Sequence, residues 1–113
     1  MMERVNRIWN HPLYREAYAE IQELEKEREF CGHSAEHFLA VARLMWIYNL
    51  EDGAGLDREV VYAAALVHDI GRHLQYREKI PHHEASAALA EKILPPCGFS
   101  EEEIEEIRKA VLA

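Results

Sequence analysis

A histidine and an aspartate stand side by side in the segment AALVHDIGRH, residues 64–73. The small apolar residues before them predict a buried helix. A carboxylate at the buried end of such a helix costs several kcal/mol unless it is paired or binds a cation. Adjacent helical residues point about 100° apart, so His68 and Asp69 can hold one ion only near the helix end, where Gly71 lets the chain turn away. The pair therefore predicts a metal site.

Most of the other histidines surround this pair in the sequence. Six of the seven lie in the middle of the chain, namely His33, His37, His68, His73, His82 and His83. Any one of them alone is most simply a core histidine with one backbone hydrogen bond. Helical periodicity puts His37 on a stripe, with His33 one turn before it, that is predicted to face inward. That stripe continues through Val41, Leu44 and Tyr48.

Periodicity also predicts that His68 faces inward, because it falls on the stripe of Val61, Ala64 and Ala65. It does not choose between the two histidines at residues 82 and 83. His82 heads a stripe of mostly apolar residues, and His83 borders a second one. The first stripe contains Ala85, Ser86, Leu89 and Ile93, and the second contains Ala87, Ala90 and Leu94.

Three of these segments resemble the H…HD…H pattern of the HD-domain superfamily, which comprises all-helical, metal-dependent phosphohydrolases. They are EHFLAVARL, AALVHDIGR and PHHEASAALAEKIL, and the resemblance covers roughly residues 30–95. It implies that His37, His68 and Asp69 are metal ligands and that Asp69 can bridge two ions. It further implies that His82 contacts a second metal or the substrate phosphate.

The family pattern contains one more ligand, an aspartate on a helix nearer the C-terminus, and no aspartate follows Asp69 in this sequence. We therefore expect the chain to lack the C-terminal helices of a full domain, or a glutamate, a water or a second subunit to complete the site. The glutamates considered are Glu84, Glu91, Glu101, Glu102 and Glu103. None of the five is favoured. Glu84 and Glu91 in particular fall on the polar face of their helix.

The ligand types determine the predicted chemistry. Imidazole and carboxylate ligands without thiolates suit one or two divalent ions of Mn, Fe, Co, Ni, Zn or Mg. Such ions activate water and polarise phosphoryl oxygens, so the predicted reaction is hydrolysis of a small phosphate ester or nucleotide, with His68, Asp69 and His82 in the catalytic site. Arg72 is the candidate for binding the phosphate, because a guanidinium matches its geometry. Alternatively, Arg72 stabilises the C-terminal end of a helix.

Two alternative interpretations remain for the whole chain. One is a catalytically incomplete HD domain that acts as a metal-binding or dimerisation module, and the other is a helical bundle with incidental histidines. A structural zinc site is disfavoured, because Cys31 and His33 have no second pair of matching spacing and Cys97 lies in the turn PPCGF. HSAEH lacks the metalloprotease order, so His33 is at most a residue that orients His37 or the substrate.

Composition limits the partners. The chain has 113 residues, 49% of them hydrophobic, so it predicts a single domain over residues 1–113. Its net charge of -8 disfavours a nucleic-acid polymer as partner. The longest apolar run, residues 60–67, is far shorter than the roughly 20 residues of a membrane helix. Two cysteines and no signal peptide favour a reducing cytoplasm.

The elements that must position the site are predicted to be about five helices in a compact, all-α, HD-domain-like bundle. The first begins at Asn10 as its cap, with Pro12 in its opening turn, and runs to about Phe30. The second spans about Ser34 to Leu50 and is followed by the loop EDGAG. The third is capped by Asp57 and ends at Gly71.

The C-terminal half is predicted to contain the other two helices. RHLQYREKIP is expected to be irregular, with His73, Arg77 and Lys79 in a solvated loop, and a fourth helix to follow Pro81, from His82 to Leu94. Ser100 and Glu103 form a capping box for the fifth. Its apolar stripe of Ile104, Ile107, Val111 and Leu112 predicts a symmetric homodimer through this helix.

Overall fold

The computed structural model describes residues 2–26, 35–53 and 55–112, and over these ranges the chain forms seven α-helices, one short 3-10 helix and no β-strand. The predicted all-α class is therefore confirmed. The elements in chain order are α1 (Glu3–Asn10), α2 (Pro12–Glu25), α3 (Ala35–Asp52), α4 (Arg58–Val67), α5 (Arg72–Glu78), α6 (His82–Ile93), the 3-10 helix (Pro95–Cys97) and α7 (Glu101–Leu112). No helix in these ranges combines the length and the apolar composition needed to cross a bilayer.

Helix α4 is the centre of the bundle and contacts α1, α3, α6 and α7. It is buried from Val60 to Val67 except at Tyr62, as expected for a helix that is apolar on all sides. The fully buried Tyr14 of α2 donates a hydrogen bond of 2.9 Å to the carbonyl oxygen of Leu66. This bond fixes the last turn of α4, directly before the histidine–aspartate pair.

Two predicted helix caps are confirmed. The Asp57 carboxylate accepts a hydrogen bond of 2.8 Å from the backbone N–H of Glu59 at the start of α4. Before α7, the backbone N–H of Ser100 donates to Glu103, and the N–H of Glu103 donates to the Ser100 hydroxyl, at 2.9 and 3.2 Å. This is the reciprocal pattern of a capping box.

The predicted start of the first long helix is wrong. Asn10 is the last residue of an additional short helix, α1, and its side chain donates to the carbonyl of Asn6. His11 caps α2 instead, because its Nδ1 accepts from the backbone N–H of Leu13 at 3.1 Å. α1 has only eight residues, too few to be stable as an isolated helix, and it is stabilised by the burial of Val5 and Ile8.

The predicted ends of the next two helices also differ from the structure. α3 includes the first two residues of EDGAG and ends at Asp52. α4 ends at Val67, so Gly71 closes a turn after the helix rather than the helix itself. The predicted boundaries at Phe30 and Ser34 lie outside the described residues.

RHLQYREKIP is not irregular, because Arg72–Glu78 forms helix α5. The helix ends where Lys79 takes the left-handed conformation, with φ of 57°. The backbone N–H of Lys79 then donates to the carbonyl of Gln75, and that of Ile80 to the carbonyl of Leu74. Seven residues give no readable period, and α5 is held by packing against α2 and α6.

The apolar residues of α7 do not form an uncovered stripe. Ile107 and Val111 are buried, in a helix that packs against α4 and α6, whereas Leu112 is 37% exposed. The expectation that this stripe needs a second subunit to cover it is therefore wrong, although the homodimer itself stays a prediction. The large exposed apolar side chains concentrate on α3, where Leu44 is 53% and Tyr48 58% exposed.

The inward orientation predicted for the His37 stripe is also wrong. Leu44 and Tyr48 point to solvent, and His37 itself is exposed. The side of α3 that packs into the core carries Phe38 and Ala42. α3 is apolar on several sides, so periodicity alone could not identify the side that contacts α4.

Arg4 fastens α1 to α4 and α7. Its Nε lies 2.9 Å from Glu59 Oε1, its Nη1 lies 2.7 Å from Glu103 Oε1, and its guanidinium stacks on Phe99. Partial burial opposes ionisation of Glu59, but hydrogen bonds from Arg4 outweigh it and hold the pKa of Glu59 below its usual range. The hydrogen bond from Arg4 likewise lowers the pKa of Glu103, against partial burial.

We expect Arg4→Met to lower the free energy of unfolding by about 1–2 kcal/mol at pH 7. Because the folded-state pKa of both glutamates is depressed, this stabilisation is present above the ordinary glutamate pKa of about 4.3 and is lost as the pH falls below it. Urea unfolding of both proteins at pH 7 and pH 3 measures the difference. Arg108→Met, which removes a surface pair with Glu105 on α7, is the matched control and should change little. A difference that stays constant with pH would contradict the role of the ion pairs.

Candidate metal centre

The histidine–aspartate pair lies in a tight turn at the end of α4. His68 is the C-cap residue, the N–H of Ile70 donates to the carbonyl of Val67, and the N–H of Arg72 donates to the carbonyl of Asp69. The chain thus changes direction within four residues before α5 begins. Such a turn lets neighbouring residues 68 and 69 direct their side chains toward one another, as the sequence predicted for the helix end.

Gly71 brings this turn into direct contact with α6. A Cβ atom at residue 71 would lie 2.6 Å from the Ala85 Cβ and closer still to the backbone nitrogen of Ser86. The Gly71 N–H donates a 2.8 Å hydrogen bond to the hydroxyl of Ser86, which is fully buried. Glycine is therefore required at residue 71 because there is no space for a side chain. The close contact places Asp69 beside the first turn of α6.

Asp69 is the buried carboxylate of the site, with 7% of its surface exposed. Its Oδ2 lies 3.2 Å from His68 Nε2. His68 Nδ1 hydrogen-bonds the carbonyl of Ala65, which can only accept, so Nδ1 carries the hydrogen and Nε2 carries the lone pair in the neutral ring. His68 therefore presents a ligand nitrogen on the side of Asp69.

His82 approaches Asp69 from the start of α6. Its Nε2 lies 3.5 Å from Asp69 Oδ1, and its Nδ1 lies 2.7 Å from Gln75 Oε1. His82 is half-buried, whereas His83 is exposed and meets the His82 ring edge-on. Of the two histidines left open by periodicity, His82 is thus the one beside the carboxylate.

His37 completes a group with His68 and Asp69. One ligand atom from each residue can be chosen so that all three lie within 4.8 Å of one another, and the described ranges contain no second group of three such residues. Tetrahedral ligands of one ion lie about 3.4 Å apart at metal–ligand distances near 2.0–2.1 Å, so the three atoms would have to close by up to about 1.4 Å around an ion. The donor set of two imidazoles and one carboxylate fits a divalent cation.

Phe38 forms the apolar support beneath these rings. It is fully buried, and its ring centroid lies 6.0 Å from those of both His37 and His68. An apolar support lowers the local dielectric and strengthens any charge interaction at the site. Nothing in the sequence pattern distinguished Phe38 from an ordinary core residue.

Arg72 faces the site without lining it. Its Nε lies 3.6 Å from Asp69 Oδ1, is buried, and has no hydrogen-bond partner within the described part of the chain. The alternative prediction is that Arg72 stabilises the C-terminal end of a helix. Arg72 is instead the first residue of α5, and a turn separates it from the end of α4. Its closest acidic group is the candidate metal ligand itself.

A cleft of about 430 Å³ opens over His68, Asp69 and His82. Its polar side is lined by the site residues and His83, and its apolar side by the last turn of α7. The lining residues are His68, Asp69, His82, His83, Ala110, Val111 and Leu112. This volume is within the range of small-molecule sites.

Several residues considered in the sequence are elsewhere. His73 is buried rather than in a solvated loop, with Nδ1 3.1 Å from the carbonyl of Ile70 and Nε2 3.8 Å from Glu20. Arg77 also pairs with Glu20, at 3.7 Å. Lys79 ends α5 in the left-handed conformation.

The glutamates considered as substitutes for the absent aspartate do not belong to the group of His37, His68 and Asp69. Glu84, Glu91, Glu101 and Glu102 are exposed, and Glu103 is bound to Arg4. Cys97 is buried in the 3-10 helix. Cys31 and His33 lie outside the described residues, so their C-x-H pair stays untested.

Comparison with known proteins gives two matches. The sequence model of the HD domain matches residues 34–113. An uncharacterized protein of Clostridium beijerinckii is 40% identical over 111 residues, which is 98% of this chain and 71% of that protein. No solved structure matches the chain.

Proposed function

This chain belongs to the HD-domain family, and on that premise we propose that it is a metal-dependent phosphohydrolase acting on a small phosphate ester or a nucleotide. The family is generally one of metal-dependent hydrolases, which supports the reaction class. The substrate and the metal are parts of the proposal.

The observation that carries the proposal is the grouping of His37, His68 and Asp69. Three side chains of the types that bind divalent cations have ligand atoms within 4.8 Å, and they come from α3 and from the turn after α4. A buried carboxylate beside two imidazoles is electrostatically costly unless cations or a proton balance it, and the Arg72 Nε beside Asp69 lies 3.6 Å away without a hydrogen bond to any described residue. The cleft gives a small substrate access to His68 and Asp69.

Each residue has a defined task in this proposal. A divalent cation at the site would supply acidified water and polarise a phosphoryl oxygen. His37, His68 and Asp69 would hold it, and His82, on the wall of the cleft and 3.5 Å from Asp69, would contact a second ion or the phosphate. Arg72 would balance the charge of Asp69 and reach the phosphate if its side chain turned toward the cleft.

The proposal is tested by hydrolysis with the metal removed and restored. The protein is stripped with a chelator, dialysed, and supplied in turn with Mn, Fe, Co, Ni, Zn or Mg, with para-nitrophenyl phosphate, its bis-ester and nucleoside monophosphates as substrates. We expect no turnover without metal and restored turnover with at least one metal. Equal rates with and without metal, or no turnover with any of them, would contradict a phosphohydrolase function.

A second candidate function is that of a metal-binding dimerisation module. It is favoured by the exposed apolar side chains Leu44, Ile47, Tyr48 and Leu50 on α3, which exceed the scattered apolar exposure of an ordinary surface helix. In the same experiment, bound metal without turnover, together with a dimeric mass by light scattering, would favour this alternative.

A further inference from the structure

The ring of the candidate ligand His82 is oriented by a side chain from another helix. Gln75 Oε1 lies 3.0 Å from the backbone nitrogen of His82 and 2.7 Å from its Nδ1. The two residues are seven positions apart, on α5 and on α6 respectively. The same amide oxygen therefore contacts both the main chain and the ring of His82.

The backbone contact determines which atom of the amide is involved. A backbone N–H can only donate a hydrogen bond, so the Gln75 atom that it meets must be the carbonyl oxygen and not the amide nitrogen. An amide oxygen can only accept, so His82 Nδ1 must be the donor in the second bond. The hydrogen of the neutral His82 ring is thereby placed on Nδ1.

With the hydrogen on Nδ1, the lone pair of the neutral ring is on Nε2. Nε2 is the atom that lies 3.5 Å from Asp69, on the cleft. His68 reaches the same tautomer through the carbonyl of Ala65, three residues before it. Both rings thus present Nε2 on the side of Asp69.

His82 cannot use the solution that His68 uses. His82 is the first residue of α6, after Pro81, so no preceding helical turn offers a carbonyl to its ring. Pro81, the N-cap residue, makes no side-chain cap either. Gln75, on α5, supplies both missing interactions. Its side-chain oxygen accepts one hydrogen bond from the backbone N–H of His82 and a second from the ring Nδ1–H.

From this geometry we infer that Gln75 is a positioning residue that fixes the tautomer and the orientation of His82. The inference rests on the proposed function in assigning His82 a contact with a metal or the phosphate. α5 therefore positions a site residue in addition to packing in the bundle. Lys79, in the left-handed conformation, ends α5 and lets the chain turn toward α6. Residues that orient a ligand histidine in this way typically change metal affinity or activity about 10–100-fold when removed.

The test is nitrogen NMR of the histidine rings in the metal-free protein, at a pH where the rings are neutral. We expect His82 to carry its hydrogen on Nδ1 in the wild type and to lose this preference in Gln75→Leu. Gln75→Glu keeps an acceptor and should retain the tautomer. Gln22→Leu makes the same replacement on α2 and serves as the matched control. Gln75→Ala provides a second truncation if the leucine variant does not fold.

A second readout is the affinity of the Mn²⁺-loaded protein for inorganic phosphate, which should weaken about tenfold or more in Gln75→Leu and recover in Gln75→Glu. A wild-type His82 with its hydrogen on Nε2, or a Gln75→Leu variant with unchanged tautomer and affinity, would overturn the inference. The ring spectrum is recorded without metal, so it decides the role of Gln75 even if the wild type fails to bind Mn²⁺. That failure would count against the proposed function instead.

Discussion

Gly71→Ala is expected to lower the free energy of unfolding by about 3 kcal/mol, because overpacking against rigid main chain is costly. The added methyl would lie 2.6 Å from the Ala85 Cβ and would overlap the backbone of Ser86. Neither neighbour is the end of a flexible side chain, so α6 or the turn must move. The thermal midpoint should fall by roughly 10–20 °C in a domain of this size. Urea and thermal unfolding followed by circular dichroism measure both quantities.

Gly55→Ala is the matched control for this prediction. Gly55 has a positive φ of 70°, but a methyl group added there would have no atom within 4 Å, so only backbone strain opposes the change. That strain costs about 1–2 kcal/mol. If Gly71→Ala destabilises the protein no more than Gly55→Ala does, the close contact between the turn and α6 is not required for stability.

Asp69→Asn is expected to reduce metal-supported phosphoester hydrolysis by more than about 100-fold, the upper range for groups that act only through a ligand. The carboxylate is the nearest acidic group to His68 Nε2, His82 Nε2 and Arg72 Nε, at 3.2, 3.5 and 3.6 Å. Asparagine keeps the shape but removes the negative charge that all three face. The assay described for the proposed function measures the effect.

Asp52→Asn makes the same chemical change at the exposed end of α3 and should leave hydrolysis unchanged. Circular dichroism establishes that both variants are folded. Metal-dependent hydrolysis that survives in Asp69→Asn would exclude this carboxylate from the catalytic site.

The histidine–aspartate pair could be anticipated from the sequence because its physical argument is local. A carboxylate after a run of small apolar residues is costly wherever the helix packs, and glycine after it predicts a turn. The caps at Asp57 and Ser100 could be predicted for the same reason, since capping depends on residues within one turn.

The surroundings of the pair could not be predicted in this way. α5 is only seven residues long, and its stability comes from contacts with α2 and α6, so no period in RHLQYREKIP marks it as a helix. The contact between Gln75 and His82 depends on how α5 packs against α6. A glutamine in a segment expected to be a loop carried no signal of that role.

α3 shows a different limit. Its apolar residues cover more than one side, so the stripe through His37 and the one through Phe38 are equally plausible core faces from periodicity. Packing against α4 selects Phe38, and His37 stays exposed while still meeting His68 and Asp69. The resemblance predicts that His37 is a metal ligand, and periodicity predicts that it is buried. The second prediction is wrong, but this does not affect the first.

The measurement that tests the central claim most directly is the metal content of the protein purified without added metal or chelator, expressed per chain and compared with Asp69→Asn. We predict at least one equivalent of divalent metal in the wild type and less than about a tenth of an equivalent in the variant, because ligand loss removes the anionic donor. A wild-type protein that contains less than about a tenth of an equivalent, and regains none on soaking with the metals named above, would contradict the account.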